Sequence, residues 1–436
     1  TCIMIRLMVL GVFILVANWG SIAQNDEYFN SQYLRLENHA YRENVRSVVM
    51  HPQNWPLAQP IYRLNDDVPL ELHFDILDEE LGNYMYTIIH CDYNWEKSEL
   101  DYQEYIDGPT EDFIFEYEYS RNTFQRFIQY KIDIPNSTIR LTKSGNYVIK
   151  VFEEGDQNQL ILTRRFSVVE EISPVSLSAT VRQATMVRER YSHQEVDFKI
   201  FTGNYEITNP YSDLKVVVLQ NHTWESALYD LKPRFVKNNE LDYDYDGENT
   251  FLGLNEFRLF DIKDTRFTGQ GIERMEIVGN ENHAYLELDR SRSSLTYLQR
   301  QDINGWFFIK NDRLGSVDHA DADYVHTHFS LERSAPIANG NVYIFGALTD
   351  WKIKPEARMT YNAELERFEN TLYLKQGLYN YMYVLADDYS QNPDLSYISG
   401  SHFETENEYT VLVYHRQLGF DYDQLIAVGD FSFGNN

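Results

Sequence analysis

At 436 residues the chain exceeds what one hydrophobic core organises, because single cores stop growing beyond roughly 250–300 residues, so two to four domains are expected. Its 67 acidic residues against 38 basic ones give a formal charge of −29. Such a surface repels polyanions, which argues against nucleic acid and anionic lipid headgroups as partners; its plainest use is solubility, its sharper one steering toward a basic partner.

Thirty-three tyrosines and 25 phenylalanines favour a pleated, half-buried surface over a helix, so the expected class is all-β. The N-terminal segment reads as a secretory leader. Arg6 precedes the apolar run LMVLGVFILVA, and Ser21-Ile22-Ala23 places small residues at the spacing a signal peptidase reads. Eleven apolar residues are too few to cross a bilayer, which needs about 20. Cleavage after Ala23 is expected, with Met4 a candidate start, and removal of Arg6 takes the charge to about −30. No cysteine stands directly after the cut, which argues against a lipid anchor, and no later stretch reads as a membrane span. Cys2 leaves with the leader. Cys91 is then the lone thiol, no internal disulfide forms, and stability must come from large cores.

Strand signals begin at Val45. Residues 28–44 hold the one stretch with room for a short helix. In LELHFDI, Leu70, Leu72, Phe74 and Ile76 alternate with Glu71, His73 and Asp75, the pattern of a strand with one wet face. Ile128, Tyr130, Ile132 and Ile134 do the same, and Pro135-Asn136 ends that run. Ser144-Gly145-Asn146 turns into YVIKVF, and GDQNQ turns back into LILTRRFSVV.

An internal repeat organises the remainder. YTIIHCDYNWEKS from Tyr86, KVVVLQNHTWESA from Lys215 and VYIFGALTDWKIK from Val342 each read as an apolar strand followed by a polar exit loop with a tryptophan. Trp95, Trp224 and Trp351 lie 129 and 127 residues apart, a domain-length period. Three tandem immunoglobulin-like β-sandwiches are expected, each Trp folding back over an edge of its own core. The predicted boundaries are 1–23 for the signal peptide, 24–170, 171–335 and 336–416 for the sandwiches, and 417–436 for an acidic, aromatic tail.

The repeat also weighs the reactive-looking HCDYNW. Its second copy has Leu219, Gln220 and Asn221 where the first has His90, Cys91 and Asp92; only the Trp is kept, and no base or oxyanion site is evident, so Cys91 reads as structural. Asp318, His319, Asp321, Asp323, His326 and His328 form a second cluster. His326 and His328 share a strand face, a geometry compatible with a metal, although the spacing fits no zinc motif. DYDYDGE, from Asp242, looks calcium-like but lacks the terminal Glu of an EF-hand loop. GxSxG, P-loop and Rossmann fingerprints are absent. No catalytic, cofactor-binding or metal residue is therefore assigned, and a non-enzyme without cofactors is expected.

VYIFGALTDW, Met359, Tyr361, LYLKQGLYNYMYVLAD and TENEYTVLVYHR resemble the glycogen-binding type of carbohydrate module, an early-set immunoglobulin-like sandwich. That resemblance implies sugar stacking on Trp351, although DDYSQNPD supplies no second Trp. A broader resemblance runs from about residue 40 to about 416. NVRSVVMHP from Asn44, PIYRLNDDVPLELHFDIL from Pro60, YTIIHCDYNWEKSEL from Tyr86, EYIDG from Glu104 and YSRNTFQRFIQYKIDIPN from Tyr119 carry its first part. SGNYVIKVFEEGD from Ser144, LTRRFSV from Leu162, NEFRLFDIKDTRF from Asn255, DINGWFFI from Asp302 and ADYVHTHFSLE from Ala322 continue it. These stretches resemble the plug protein family of the type IX secretion system of Bacteroidetes. The resemblance implies a periplasmic protein, monomeric within a larger complex, that closes the periplasmic end of the outer-membrane translocon barrel when no cargo is bound. It leaves the partner-contacting residues unknown, and a secreted glycan-binding module centred on Trp351 is the alternative.

Overall fold

The computed structural model describes residues 28–29, 33–313, 319–387 and 392–433; the predicted leader and Asp318 lie outside them. The fold is all-β: strands make up 47%, and the α-helices described over their full extent are the four-residue turns Tyr102–Tyr105 and Pro210–Asp213. Within 28–44, Tyr28 is helical, and residues 33–44 contain the short strand His39–Ala40 and no helix.

The first sandwich follows the alternation in its sequence. Leu70–Ile76 is central in one sheet, between Val45–Pro52 and Ile128–Ile134, with Glu116–Tyr119 at the edge. The facing sheet runs from His39–Ala40 through Asp156–Val169, Gly145–Glu153 and Tyr84–Cys91 to Asp112–Phe113. The turn between Gly145–Glu153 and Asp156–Val169 is tighter than GDQNQ implied, taking only Glu154 and Gly155. Leu72, Phe74, Ile88, Ile128, Tyr147 and Ile149 fill the core, each large side chain worth about 1.5–3 kcal/mol when removed from water.

Beyond residue 170 the strand pairing departs from the predicted boundaries. Ser176–Gln183, His193–Phe201, Glu240–Tyr243 and Phe235–Lys237 form one sheet. The sheet facing it runs Thr223–Tyr229, Leu214–Gln220, Glu408–His415, Gln424–Ser432. The tail predicted from 417 is therefore an edge strand, and 408–415, expected in the C-terminal sandwich, is central in the middle one. Tyr409, Val411, Val413, Ile426 and Ala427 belong to its core.

A further sandwich is inserted between 252 and 408. One of its sheets joins Arg258–Asp261, Gly377–Ala386 and Phe307–Ile309, with Asn341–Phe345 also paired to Gly377–Ala386. The other runs Ile272–Val278, Glu281–Leu286, Tyr324–Glu332, Arg367–Lys375, Thr360–Asn362, and Glu281–Leu286 lies parallel to Tyr324–Glu332. Residues 258–332 thus share their core with 341–386 and not with the middle sandwich, because Ala335-Pro336 is a connection between the two sheets of one unit. LYLKQGLYNYMYVLAD, 372–387, likewise crosses between sheets at Gln376-Gly377 and is no hairpin: Gly377 lies so close to the Phe308 backbone that a Cβ would sit 2.3 Å from its carbonyl oxygen.

Candidate functional site: the junction between the sandwiches

The HCDYNW segment is structural, and its side chains sit where two sandwiches meet. His90 is buried. Its Nδ1 lies 2.8 Å from Ser98 Oγ and its Nε2 3.1 Å from the Ser144 carbonyl. Nε2 must carry the proton to donate to that carbonyl, so Nδ1 accepts from the serine and the ring is satisfied in its neutral form. Gly145 is required beside it: its φ is +137°, and a Cβ would lie 2.5 Å from His90 Nε2. Burial pushes the Cys91 thiol up to about 12, removing it as a nucleophile at neutral pH. Asp92 pairs with Arg416 at 2.7 Å.

Desolvation lowers His90 to about 4. The unfolded chain takes a proton on this imidazole near pH 6.5 and the folded chain only near 4, so acidification through that window favours unfolding. His90 alone is expected to withdraw up to about 3 kcal/mol of stability between pH 6.5 and 4. Denaturant melts at several pH values check this, and His90→Gln, which cannot take up the proton, flattens the slope if the assignment is right.

The tryptophans of the repeat divide: Trp95 and Trp224 meet between two sandwiches, whereas Trp351 folds back over its own, the inserted one, as expected. Trp95, with φ +68°, packs edge-to-face on Trp224 of the middle sandwich at 4.8 Å and under Arg165 at 4.4 Å. Trp351 is half-buried, with Phe345 at 5.7 Å, Phe257 at 5.8 Å and Trp306 at 6.3 Å between ring centres. Gly305 (φ +82°) presses on it so closely that a Cβ would meet the indole at 2.2 Å. A sugar platform needs an open ring face, and these contacts take much of this one. Trp351 instead walls a cavity of about 760 Å³ at the meeting point of the three sandwiches, with Arg35, Arg165, Glu225 and Lys352 among its other lining residues.

Buried charge joins the first and inserted sandwiches. Lys375 Nζ donates to Asp75 at 2.5 Å, with side-chain exposures of 0% and 2%. The Tyr324 hydroxyl donates to the same carboxylate at 2.7 Å and accepts from Ser47 at 2.8 Å. Lys375 also sits 4.1 Å above the Phe127 ring. Burial raises the Asp75 carboxyl, and Lys375 and Tyr324 oppose that rise. Nearby, Asp350 is held by Arg164 at 2.5 Å and Lys354 at 2.8 Å; burial works against ionisation there, but the two cations keep its carboxyl far below the ordinary range.

The predicted His/Asp cluster divides between two roles. His319 packs tilted against His73 at 4.6 Å, Asp321 pairs with Arg121 at 3.1 Å, and Asp323 accepts from the backbone N–H groups of Phe124 and Gln125 at 2.8 and 3.1 Å. All three therefore fasten the inserted sandwich to the first. His326 and His328 do share a face, as expected, but the parallel register sets His283 beside His326 and Tyr285 beside His328. The sequence reading missed His283. In the DYDYDGE loop Asp244 pairs with Arg182 at 3.5 Å and Asp246 with Arg234 at 3.1 Å, and Arg182 also pairs with Glu195 and Asp197 at 2.8 and 2.5 Å.

One edge of the first sandwich is rich in exposed rings. Phe113, Phe115, Tyr117, Tyr119 and Phe124 are 40–74% exposed, along and beside the edge strand Glu116–Tyr119. Aromatic side chains dominate interface hot spots. Glu116 and Glu118 in the same strand discourage indiscriminate edge-to-edge pairing.

Residues 45–170, the first sandwich, match the family described as Type 9 secretion system plug protein 1st domain. No curated protein matches the chain. Among solved structures, a hypothetical protein from Parabacteroides merdae ATCC 43184 is similar over 92% of this chain and 100% of its own, at 31% identity and a TM-score of 0.86. The likeness thus extends well past the matched first domain, through the inserted sandwich and the returning strands. No helix among the described residues is long and apolar enough to cross a membrane. The chain belongs to the type IX secretion system plug protein family.

Proposed function

We propose that the protein is a non-catalytic periplasmic plug that closes the periplasmic end of the outer-membrane translocon barrel of the type IX secretion system when no cargo is bound. Family membership carries the reading. The way the sandwiches are fastened supports it. A pore wide enough for folded cargo also leaks small solutes, so its stopper must hold its shape under load. Here the chain threads from the middle sandwich into the inserted one and back, and buried ion pairs and ring contacts tie both to the first. A stopper that must also leave calls for a moderate, wet and partly electrostatic interface of upwards of about 1,000 Å². The acidic surface suits a basic rim on the barrel, and the rings at 113–124 suit its contact.

The test is affinity isolation of the full chain from membranes, paired with outer-membrane permeability in a deletion strain. Co-isolation with a very large barrel protein, loss of the complex at high salt and a leaky deletion strain are expected. Phe115→Asp combined with Tyr119→Asp should fold normally yet recover little barrel. An impermeable deletion strain overturns the plug; undiminished recovery of the barrel by the double variant overturns the aromatic edge as its contact.

A further inference from the structure

A row of flat side chains crosses the outer face of the inserted sandwich's five-stranded sheet. Arg274 lies 3.8 Å over the Tyr285 ring, Tyr285 stacks on His328 at 4.2 Å, and His328 stacks on His283 at 5.2 Å. His283 stacks on His326 at 4.8 Å. Packing alone explains a row of rings, but it does not explain how the nitrogens are arranged.

A hydrogen-bond chain fixes the rings. His328 Nδ1 lies 2.8 Å from Thr371 Oγ1, and His328 Nε2 lies 2.9 Å from His283 Nδ1. In either direction of this chain the Nδ1 of His283 is engaged, which leaves Nε2 as its free ring nitrogen. That atom is out of contact with solvent and has no hydrogen-bond partner, so a buried polar atom stands unsatisfied, an arrangement proteins avoid; with His328 donating to the threonine it carries a lone pair, the form that ligates a metal. What it faces is informative. Glu281 Oε2 is 3.8 Å from His283 Nε2 and 3.6 Å from His326 Nε2, and one ligand atom from each of the three residues lies within 4.8 Å of the others.

We propose that Glu281, His283 and His326 form a binding site for a divalent first-row transition ion of the zinc class, with His328 as the positioning residue that orients His283. Donor atoms around a tetrahedral ion with bonds of about 2.0–2.2 Å stand about 3.3 Å apart; the two carboxylate–imidazole distances, 3.8 and 3.6 Å, are within a few tenths of an ångström of that, and the two imidazoles, whose donor atoms lie within 4.8 Å of each other, draw together on the ion. Two imidazoles and one carboxylate select against calcium and magnesium, which take oxygen donors. The imidazole behind a ligating histidine plays the part usually taken by a carboxylate or carbonyl. Three protein donors leave a fourth position to solvent. The ion would bolt the parallel strands Glu281–Leu286 and Tyr324–Glu332 together at the one place in this sheet where two strands run the same way. The ligands come from two paired strands, so the site is assigned to holding them together.

Isothermal titration of the untagged full chain with zinc chloride tests the assignment, with magnesium chloride as the comparison and thermal melts alongside. Zinc is expected to bind one to one and raise the melting temperature, and magnesium to do neither. Glu281→Gln, His283→Gln and His326→Gln should each abolish the titration, while His328→Phe weakens it by roughly 10–100-fold. Glu281 lies on the surface, so its variant reports on binding without disturbing the core. Zinc binding unchanged in E281Q and H283Q, or no zinc binding by the native chain, overturns the proposal.

Discussion

Replacing Lys375 with methionine is expected to cost about 3–5 kcal/mol of stability, because it strands the Asp75 carboxylate without its cation in a site from which water is excluded. Both members of the pair are almost wholly buried, and Lys375 arrives from a different sandwich, 300 residues along the chain. The Tyr324 hydroxyl remains as a donor to Asp75, but one neutral hydrogen bond does not replace a charge-assisted pair. Urea titration of the variant measures the loss. Adding Asp75→Asn to Lys375→Met removes the stranded charge and should restore most of it, because the expense lies in the unpaired ion and not in the absence of a salt bridge. A loss below about 1 kcal/mol for the single variant would place the pair in the class of solvated ion pairs and disprove its burial between the two sandwiches.

Trp95→Ala carries an expected loss of similar size, about 3–5 kcal/mol. The indole is 4% exposed and touches Trp224 and Arg165, so truncation opens a void between the first and middle sandwiches. Trp224→Ala should overlap with it: contacting residues show coupling energies of about 0.5–3 kcal/mol, so the double variant loses less than the two single losses together. Strict additivity would show that the rings do not meet in solution.

The strands of the first sandwich were legible because each carries its own signal. Leu70, Leu72, Phe74 and Ile76 alternate cleanly, and Pro135 stops the strand beginning at Ile128 as expected. The insertion was not legible, since YTVLVYH at 409–415 announces a buried strand but not the one it pairs with, and its partner Leu214–Gln220 lies some 200 residues earlier. The tryptophan period located the exits of three strands correctly. It misled over boundaries because its spacing measures the distance between strand exits and carries no record of which strands share a core: Trp95 and Trp224 meet across two units, while Trp351 packs within its own. His283 escaped notice for a related reason: ENHAYL is an ordinary alternating strand, and only its parallel register against Tyr324–Glu332 brings the imidazole to His326.

The excursion between residues 252 and 408 has a consequence for how the molecule comes into being. Glu408–His415 lies between Leu214–Gln220 and Gln424–Ser432, so the middle unit lacks the heart of one of its two layers until synthesis has passed residue 415, and that strand's outer neighbour until residue 432. The first and inserted units can close as they emerge, but the body they flank stays unlocked until then. A chain cut short between residues 408 and 432 would therefore leave an open apolar seam at the hub of the assembly, ready prey for proteases.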